Sequence, residues 1–309
     1  MKVEKIKFNN HEVFNDLNID FRDNNGEILN TIVLIGENGS GKTTLLKSIY
    51  DSFGVQDDEC AVINKKMILS PKSYTATVML NEGEVGDLDI PGSFEIGKFI
   101  IDSKVIYMPT EINFERVNKV DNTFNFEPTF QNIIDQNMTQ NIPSLIATKI
   151  NKEIFKNRNK TIGEVIDMVC EEINSVFSIM DLDVKLVGLS ETNETKPIFR
   201  NSLGKEFDIR GLSSGEKQLF LRALALKFLN PNNSIILIDE PEISLHPQWQ
   251  KKIIDVYESI GENNQLIIAT HSPHIIGDIE SKQLRVIKRD NNGINIDSNE
   301  ELIRMIMNI

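Results

Sequence analysis

A chain of 309 residues, 40% of them hydrophobic, is long enough to bury a sizeable core without cross-links. Its formal net charge of −13 argues against a surface that binds nucleic acid throughout, because phosphate binding draws on clustered Lys and Arg. Two cysteines, Cys60 and Cys170, in no C-x-x-C spacing indicate neither a disulfide framework nor a zinc site, and fit a reducing, cytoplasmic setting.

The first residues, Met1-Lys2-Val3-Glu4-Lys5-Ile6-Lys7, alternate charged and apolar, whereas a signal peptide needs an unbroken apolar stretch after its basic start. Apolar runs such as Ile235 to Ile238 are far shorter than the roughly 20 residues of a membrane span. No membrane association is expected. Residues 1 to 21 read as a strand pair, with Val3, Ile6 and Phe8, then Val13, Leu17, Ile19 and Phe21, on either side of a turn at Asn9-Asn10.

The segment Thr31 to Leu46 organises the rest. Ile32 to Ile35 is a short apolar run of β-branched character that ends abruptly at glycine, as a buried strand does. Gly36, Gly39 and Gly41 allow a tight turn whose N–H groups face inward, and a helix starting near Lys42 adds its positive dipole end. The spacing from Gly36 to Thr43 satisfies G-x-x-x-x-G-K-[ST], so Gly36, Glu37, Asn38, Gly39, Ser40, Gly41, Lys42, Thr43 and Thr44 are expected to bind nucleotide. Lys42 would reach the β- and γ-phosphates, and the Thr43 hydroxyl would ligate Mg²⁺. Leu45, Leu46, Ile49 and Phe53 recur at helical spacing until Gly54.

From about residue 55 to 210 the character changes. Strand-like runs at Tyr74 to Leu80 and Lys104 to Met108 flank a loop marked by Pro91-Gly92. Residues 129 to 180 predict helices broken near Pro143, with an apolar stripe at Ile162, Val165, Ile166, Val169, Ile173 and Phe177. Lys149, Lys152, Lys156, Arg158 and Lys160, with one acid, Glu153, among them, form a basic cluster that reads as a solvated helix face or a contact for an acidic partner or nucleic acid. Strands return at Val184 to Val187, Ile198-Phe199 and Phe207 to Ile209. No sustained heptads are present.

The last third alternates helix and strand, which predicts a mostly parallel sheet covered on both faces. Ser234 to Pro241, S-I-I-L-I-D-E-P, is an apolar strand that presents two carboxylates at its tip. Asp239 suits Mg²⁺, and Glu240 suits the water that attacks the γ-phosphate. Leu212-Ser213-Ser214-Gly215-Glu216 precedes a helix and offers a second anion-binding combination.

The order of phosphate loop, this Ser-Gly segment, Asp-Glu strand and Thr270-His271-Ser272-Pro273 resembles the ATP-binding-cassette type of P-loop ATPase. The resemblance implies ATP and Mg²⁺ as cofactors, His271 as γ-phosphate sensor, and Ser213, Gly215 and Glu216 as the signature that completes the site of a second subunit. Asp239-Glu240-Pro241-Glu242-Ile243-Ser244-Leu245-His246-Pro247 is similar to the E-P-E-x-x-L-H-P run of the OLD and SMC-like branch, which includes ATPases of phage-defence and toxin systems. Ser214 stands where transporters have glycine, and Pro109-Thr110-Glu111 stands where a glutamine loop is expected; Glu111 reads as an oxygen ligand or as a turn carboxylate.

The implied fold is α/β: an ABC-type head with a mostly parallel sheet, an N-terminal antiparallel β subdomain and an inserted, mainly helical lobe. The core would span 1–55 and 205–309, and 56–204 would be the lobe. The resemblance implies an ATPase that forms a homodimer or higher oligomer through shared ATP sites. The middle lobe shows no recognisable metal-ligand spacing, so a separate effector docked on it is expected, and no cutting of nucleic acid by this chain. A transporter ATPase subunit and a DNA-tethering or repair ATPase are the alternatives.

Overall fold

A computed structural model gives the fold and describes residues 1–54, 60–63, 66–70, 74–80, 103–110, 128–190, 196–290 and 293–297. The strands, in chain order, are β1 (Val3–His11), β2 (Asn15–Asp20), β3 (Thr31–Ile35), β4 (Cys60–Ile63), β5 (Lys66–Leu69), β6 (Thr75–Leu80), β7 (Val105–Met108), β8 (Gln131–Ile133), β9 (Val184–Leu189), β10 (Pro197–Asn201), β11 (Glu206–Asp208), β12 (Ile235–Asp239), β13 (Gln265–Ala269), β14 (Leu284–Asp290) and β15 (Gly293–Asp297). The helices are α1 (Lys42–Ser52), α2 (Gln136–Gln140), α3 (Ile142–Lys156), α4 (Ile162–Ser175), α5 (Ser214–Leu229), α6 (Pro247–Glu258) and α7 (Pro273–Ile276).

A seven-stranded sheet in the order β15-β14-β3-β13-β12-β7-β8 forms the centre, parallel throughout except for the antiparallel edge strand β15. Its inner strands are buried on both faces, which is why Ile32 to Ile35 and Ile235 to Ile238 are continuous apolar runs rather than alternating ones. Ile32 and Leu34 face one core with Leu45, Leu46 and Ile49 of α1; Val33 and Ile35 face the other, with α3, α4, α5 and α6. Fully burying a side chain such as Leu46 contributes about 1.5–3 kcal/mol, and Leu46→Ala should cost about 2–5 kcal/mol through the cavity it leaves.

A five-stranded antiparallel sheet, β2-β1-β6-β5-β4, covers α1 on its far side. Gln265, fully buried at the start of β13, joins the two sheets: its side chain accepts the N–H of Val3 at 2.8 Å and donates to the carbonyls of Val3 at 3.0 Å and Leu29 at 3.1 Å. A buried amide is tolerated there because its polar atoms are paired.

Several local expectations change. The turn expected at Asn9-Asn10 is instead a bulge inside β1 between Phe8 and His11, with Asn10 at φ 55°, and the reversal comes at residues 12–14. Asparagine tolerates that left-handed conformation, so it signals a bulge as readily as a turn. The break expected near Pro143 falls at Asn141, between α2 and α3, and Pro143 occupies the first turn of α3, where its missing N–H costs nothing. In the stripe of α4, Val165, Val169, Ile173 and the following Phe177 are buried, but Ile162 is 62% exposed.

The stretch 56–204, expected as one inserted lobe, is distributed over the molecule. Strands β4 to β6 extend the N-terminal sheet, with β6 paired to β1, and β7 lies inside the central sheet against β12. Among the described residues, α2 to α4 and the three-stranded sheet β11-β10-β9 remain as a lobe, and their core is continuous with that of α5: Phe220 meets Phe177 and Phe199 at ring-centroid distances of 4.2 and 5.2 Å. The loop at Pro91-Gly92, Glu111 and the residues after 297 lie outside the described residues. Cys170 is a buried free thiol, its pKa pushed up to about 11 by burial.

Candidate active site

Parallel neighbours end at the same edge of a sheet, so the loops after β3, β7, β12 and β13 meet there. The register aligns Met108 with Ile238 and Asp239 with Ala269, placing residues 109–110, 239–240 and 270–271 side by side. The loop after β3 closes on itself. Gly39 and Gly41 adopt φ 77° and 100°, and a Cβ on Gly36 would collide with the carbonyl oxygen of Ile287 on β14. The Lys42 ammonium lies inside the loop and donates to the carbonyls of Gly36 at 2.9 Å and Glu37 at 3.1 Å. The N-terminal turn of α1 has no side-chain cap, so its N–H groups point into the loop without a protein acceptor from a capping residue.

Asp239, 1% exposed, stands beside the loop. Its Oδ1 accepts the Thr43 hydroxyl at 3.1 Å and its Oδ2 accepts the Thr110 hydroxyl at 2.7 Å. A carboxylate and a P-loop hydroxyl facing a phosphate site form a hard oxygen donor set of the kind Mg²⁺ takes, with phosphate oxygens and water filling the remaining positions. Among the described residues there is no cluster of three or more His, Cys, Asp or Glu that would make an all-protein cage. The residues present therefore fit a metal that arrives with its nucleotide.

Glu240 follows Asp239 in the left-handed region, φ 44°, while its N–H donates to Ala269 O at 2.8 Å. A non-glycine residue held there is strained, and strain of this kind clusters at functional turns. His271 Nε2 lies 3.3 Å from Glu240 Oε1. Burial raises the Glu240 pKa, opposed by His271; Glu242 and Asp239 raise it further and Lys42 lowers it. Burial also lowers the pKa of Lys42, with Glu240, Asp239 and Glu242 holding it up. Four of the expected residues, Lys42, Thr43, Asp239 and Glu240, are thus brought together with His271.

The signature residues are not part of this constellation. Ser213 caps α5: its hydroxyl accepts the N–H of Glu216 at 3.2 Å, and the Glu216 carboxylate accepts the N–H of Ser213 at 2.7 Å. Gly215 packs so closely on the turn after β12 that a Cβ would stand 2.7 Å from Ser244 O. Among the described residues, no hydrogen bond or ion pair links Ser213, Gly215 or Glu216 to residues 36–44. A cleft of about 930 Å³ opens beside the first half of the loop, lined by Gly36 to Ser40, His271, Lys288 and Arg289 among others.

Three residues with a place in the site were not singled out from sequence. Thr110 grips Asp239. Arg222 of α5, fully buried, donates from Nη2 to the carbonyls of Pro109 at 2.5 Å and Thr110 at 2.7 Å. Glu242 binds the loop that carries His271. For Thr110 a signal existed: it follows an apolar strand that can lie beside Ile235 to Asp239. Only the pairing of β7 with β12 turns that possibility into a contact.

Residues 114–277, a little over half of the chain, match the family described as "AAA domain, putative AbiEii toxin, Type IV TA system". The match includes the signature, Asp-Glu and histidine segments and leaves the phosphate loop to be identified by its own spacing and geometry. Among curated proteins, the chain is 32% identical over 162 residues to a retron Vc95 probable ATPase of Vibrio cholerae and 39% identical over 172 residues to a retron Ec83 probable ATPase of Escherichia coli. Each alignment covers 48% of this chain and only 30% and 31% of those proteins. The Septu protein PtuA of Bacillus thuringiensis is 25% identical over 301 residues, covering 89% of this chain and 72% of that protein. The fold is that of SMC heads: a SmcHead bound to the C-winged helix domain of ScpA superposes with TM-score 0.54 at 12% identity, covering 96% of this chain and 97% of the other.

Proposed function

The chain belongs to this AAA-domain family, within the SMC-like P-loop ATPases found in phage-defence and toxin–antitoxin systems, and from that premise we propose that it hydrolyses Mg²⁺·ATP at a site shared between two copies. The observation that carries the reading is the convergence of Lys42, Thr43, Asp239, Glu240 and His271 at one edge of the sheet, with the signature of the same chain turned to other partners.

In this reading Lys42 leaves the carbonyls of Gly36 and Glu37 to neutralise the β- and γ-phosphates. Thr43 and Asp239 would hold the magnesium, which would supply charge neutralisation on the phosphate oxygens. Glu240 accepts a hydrogen bond from the attacking water, which its raised pKa favours, and His271 senses the γ-phosphate. Backbone N–H groups of residues 38–44 cradle the phosphates. Ser213, Gly215 and Glu216 of a second copy close the site, so that turnover depends on association. No helix among the described residues is long and apolar enough to cross a membrane.

The remaining lobe, α2 to α4 with β9 to β11, is the docking surface we assign to a separate effector. It presents Phe155 at 73% exposure, beside the exposed Lys152, Lys156, Arg158 and Lys160. Part of the basic cluster is internally paired: Lys149 with Glu172 at 2.7 Å and Lys156 with Glu153 at 2.8 Å.

The test is ATP hydrolysis by the purified chain with Mg²⁺, measured against protein concentration. Activity per molecule that rises with concentration supports the shared site. Activity that is present but independent of concentration, in a chain that stays monomeric with ATP, overturns it.

A further inference from the structure

Glu242 lies two residues beyond Glu240, in the turn between β12 and α6. One of its oxygens, Oε1, takes three donors: the Thr270 hydroxyl at 2.6 Å, the His271 N–H at 2.8 Å and the Ser272 N–H at 3.0 Å. All three belong to the segment between β13 and α7 that carries the imidazole. Thr270 is fully buried and Ser272 is 4% exposed, so this segment is enclosed by protein on all but the His271 side. A second clamp comes from α6, where Gln250 Oε1 accepts the Ser272 hydroxyl at 2.7 Å while its amide donates to Leu245 O at 2.9 Å.

These contacts do more than close a turn. Two main-chain N–H groups and one hydroxyl converging on a single carboxylate oxygen fix the backbone on both sides of the His271 Cα, and with it the origin of the imidazole. The same turn carries Glu240, 3.3 Å from His271 Nε2, and Ser244, on which Gly215 of the signature segment packs. Glu242 therefore joins two loops: the turn that bears the water-polarising carboxylate and supports the signature segment, and the one that bears the sensor.

We propose that Glu242 is a positioning residue for His271, locking the histidine loop to the turn after β12 so that the imidazole and the Glu240 carboxylate keep one geometry. The proposal rests on the ATPase reading above. It assigns Glu242 no contact with nucleotide or metal; its effect reaches the reaction only through His271. A carboxylate suits the task because one anionic oxygen accommodates three donors, where a neutral amide oxygen is the weaker acceptor.

A double-mutant cycle on this chain tests this, with turnover and fluorescent-nucleotide affinity measured for wild type, Glu242→Ala, Glu242→Gln, His271→Ala and the Glu242→Ala/His271→Ala pair. Displacement of a catalytic group by about 1 Å costs roughly 10²-fold in rate. Glu242→Ala should lose turnover on that scale with nucleotide affinity within about threefold of wild type. The double variant should be no slower than His271→Ala, because residues acting as one unit are non-additive. Glu242→Gln should recover at least about tenfold over Glu242→Ala by keeping an acceptor oxygen. Glu242→Asp, which keeps the charge and draws the oxygen back by one methylene, provides a second cycle should the alanine variant fold poorly. Losses that multiply in the double variant, or a loss of nucleotide affinity equal to the loss of turnover, overturn the proposal while leaving the ATPase reading in place. A wild-type chain without ATPase activity removes both.

Discussion

The hydroxyl of Thr110 donates to Oδ2 of Asp239 at 2.7 Å while Thr43 holds Oδ1 at 3.1 Å, so both oxygens of one buried carboxylate are set by threonines, one from the loop after β7 and one from the first turn of α1. Thr110 is itself fixed from behind, since the fully buried Arg222 binds its carbonyl at 2.7 Å. The position where a glutamine loop was expected is thus filled by a residue that orients the carboxylate proposed to hold the metal. Removal of a partner that orients a metal ligand typically costs about 10- to 100-fold in metal affinity. Thr110→Val, nearly isosteric, should raise the Mg²⁺ concentration for half-maximal nucleotide binding by at least about tenfold, with Thr110→Ser close to wild type. Titration of fluorescent nucleotide with Mg²⁺ checks this, and an unchanged midpoint in Thr110→Val would exclude the role.

Lys42 is buried, and its ammonium already spends its hydrogen bonds on the loop's own carbonyls. Lys42→Ala should weaken nucleotide binding by at least about tenfold, or about 1.4 kcal/mol, with far-ultraviolet circular dichroism unchanged. Wild-type affinity by calorimetry would count against the cradle.

In the proposed shared site, Glu240 and Ser213 belong to opposite halves. Glu240→Gln should keep nucleotide affinity, lower turnover by about 10²-fold or more, and accumulate a closed pair with Mg²⁺·ATP. Ser213→Arg, which puts bulk and charge at the start of α5, should prevent that pair. Light scattering with and without ATP reads the difference; equal masses for the two variants under both conditions would argue against ATP-driven association.

His11 predicts how stability varies with pH. It is 3% exposed, its Nδ1 accepts the N–H of Val13 at 3.1 Å and of Phe14 at 3.3 Å, and its Nε2–H faces Ser48 Oγ of α1 at 2.9 Å. Phe14 stacks on the ring at 4.5 Å. Burial lowers its pKa below the ordinary 6.5, only partly opposed by Glu12. The neutral form is the one that fits, so its stabilising effect is present above pH 6.5 and is lost as pH falls below that value toward the folded pKa. Thermal unfolding of wild type should shift to lower temperature between pH 7 and pH 5, and the slope should flatten in His11→Asn. Parallel slopes would show that other groups dominate.

The parts of this protein that rest on spacing along the chain were legible in order. The phosphate loop needs glycines at fixed offsets before a helix; the apolar run ending in Asp239-Glu240 needs only a buried strand. Thr270-His271-Ser272-Pro273 follows another such strand. The register of the parallel sheet then brings these segments together, as expected. The division of the chain was not legible in the same way. Residues 75–80 and 105–108 look like any short strands, and nothing within them says that the first pairs with β1 or that the second lies beside β12. Strand pairing is a contact between segments tens of residues apart, and short apolar runs carry too little pattern to choose among partners. The same limit hid Thr110, Arg222 and Glu242. Their residue types were visible, but a hydroxyl, a buried cation and a third carboxylate acquire roles only from what stands within 3 Å of them. That is decided when the loop ends are laid side by side.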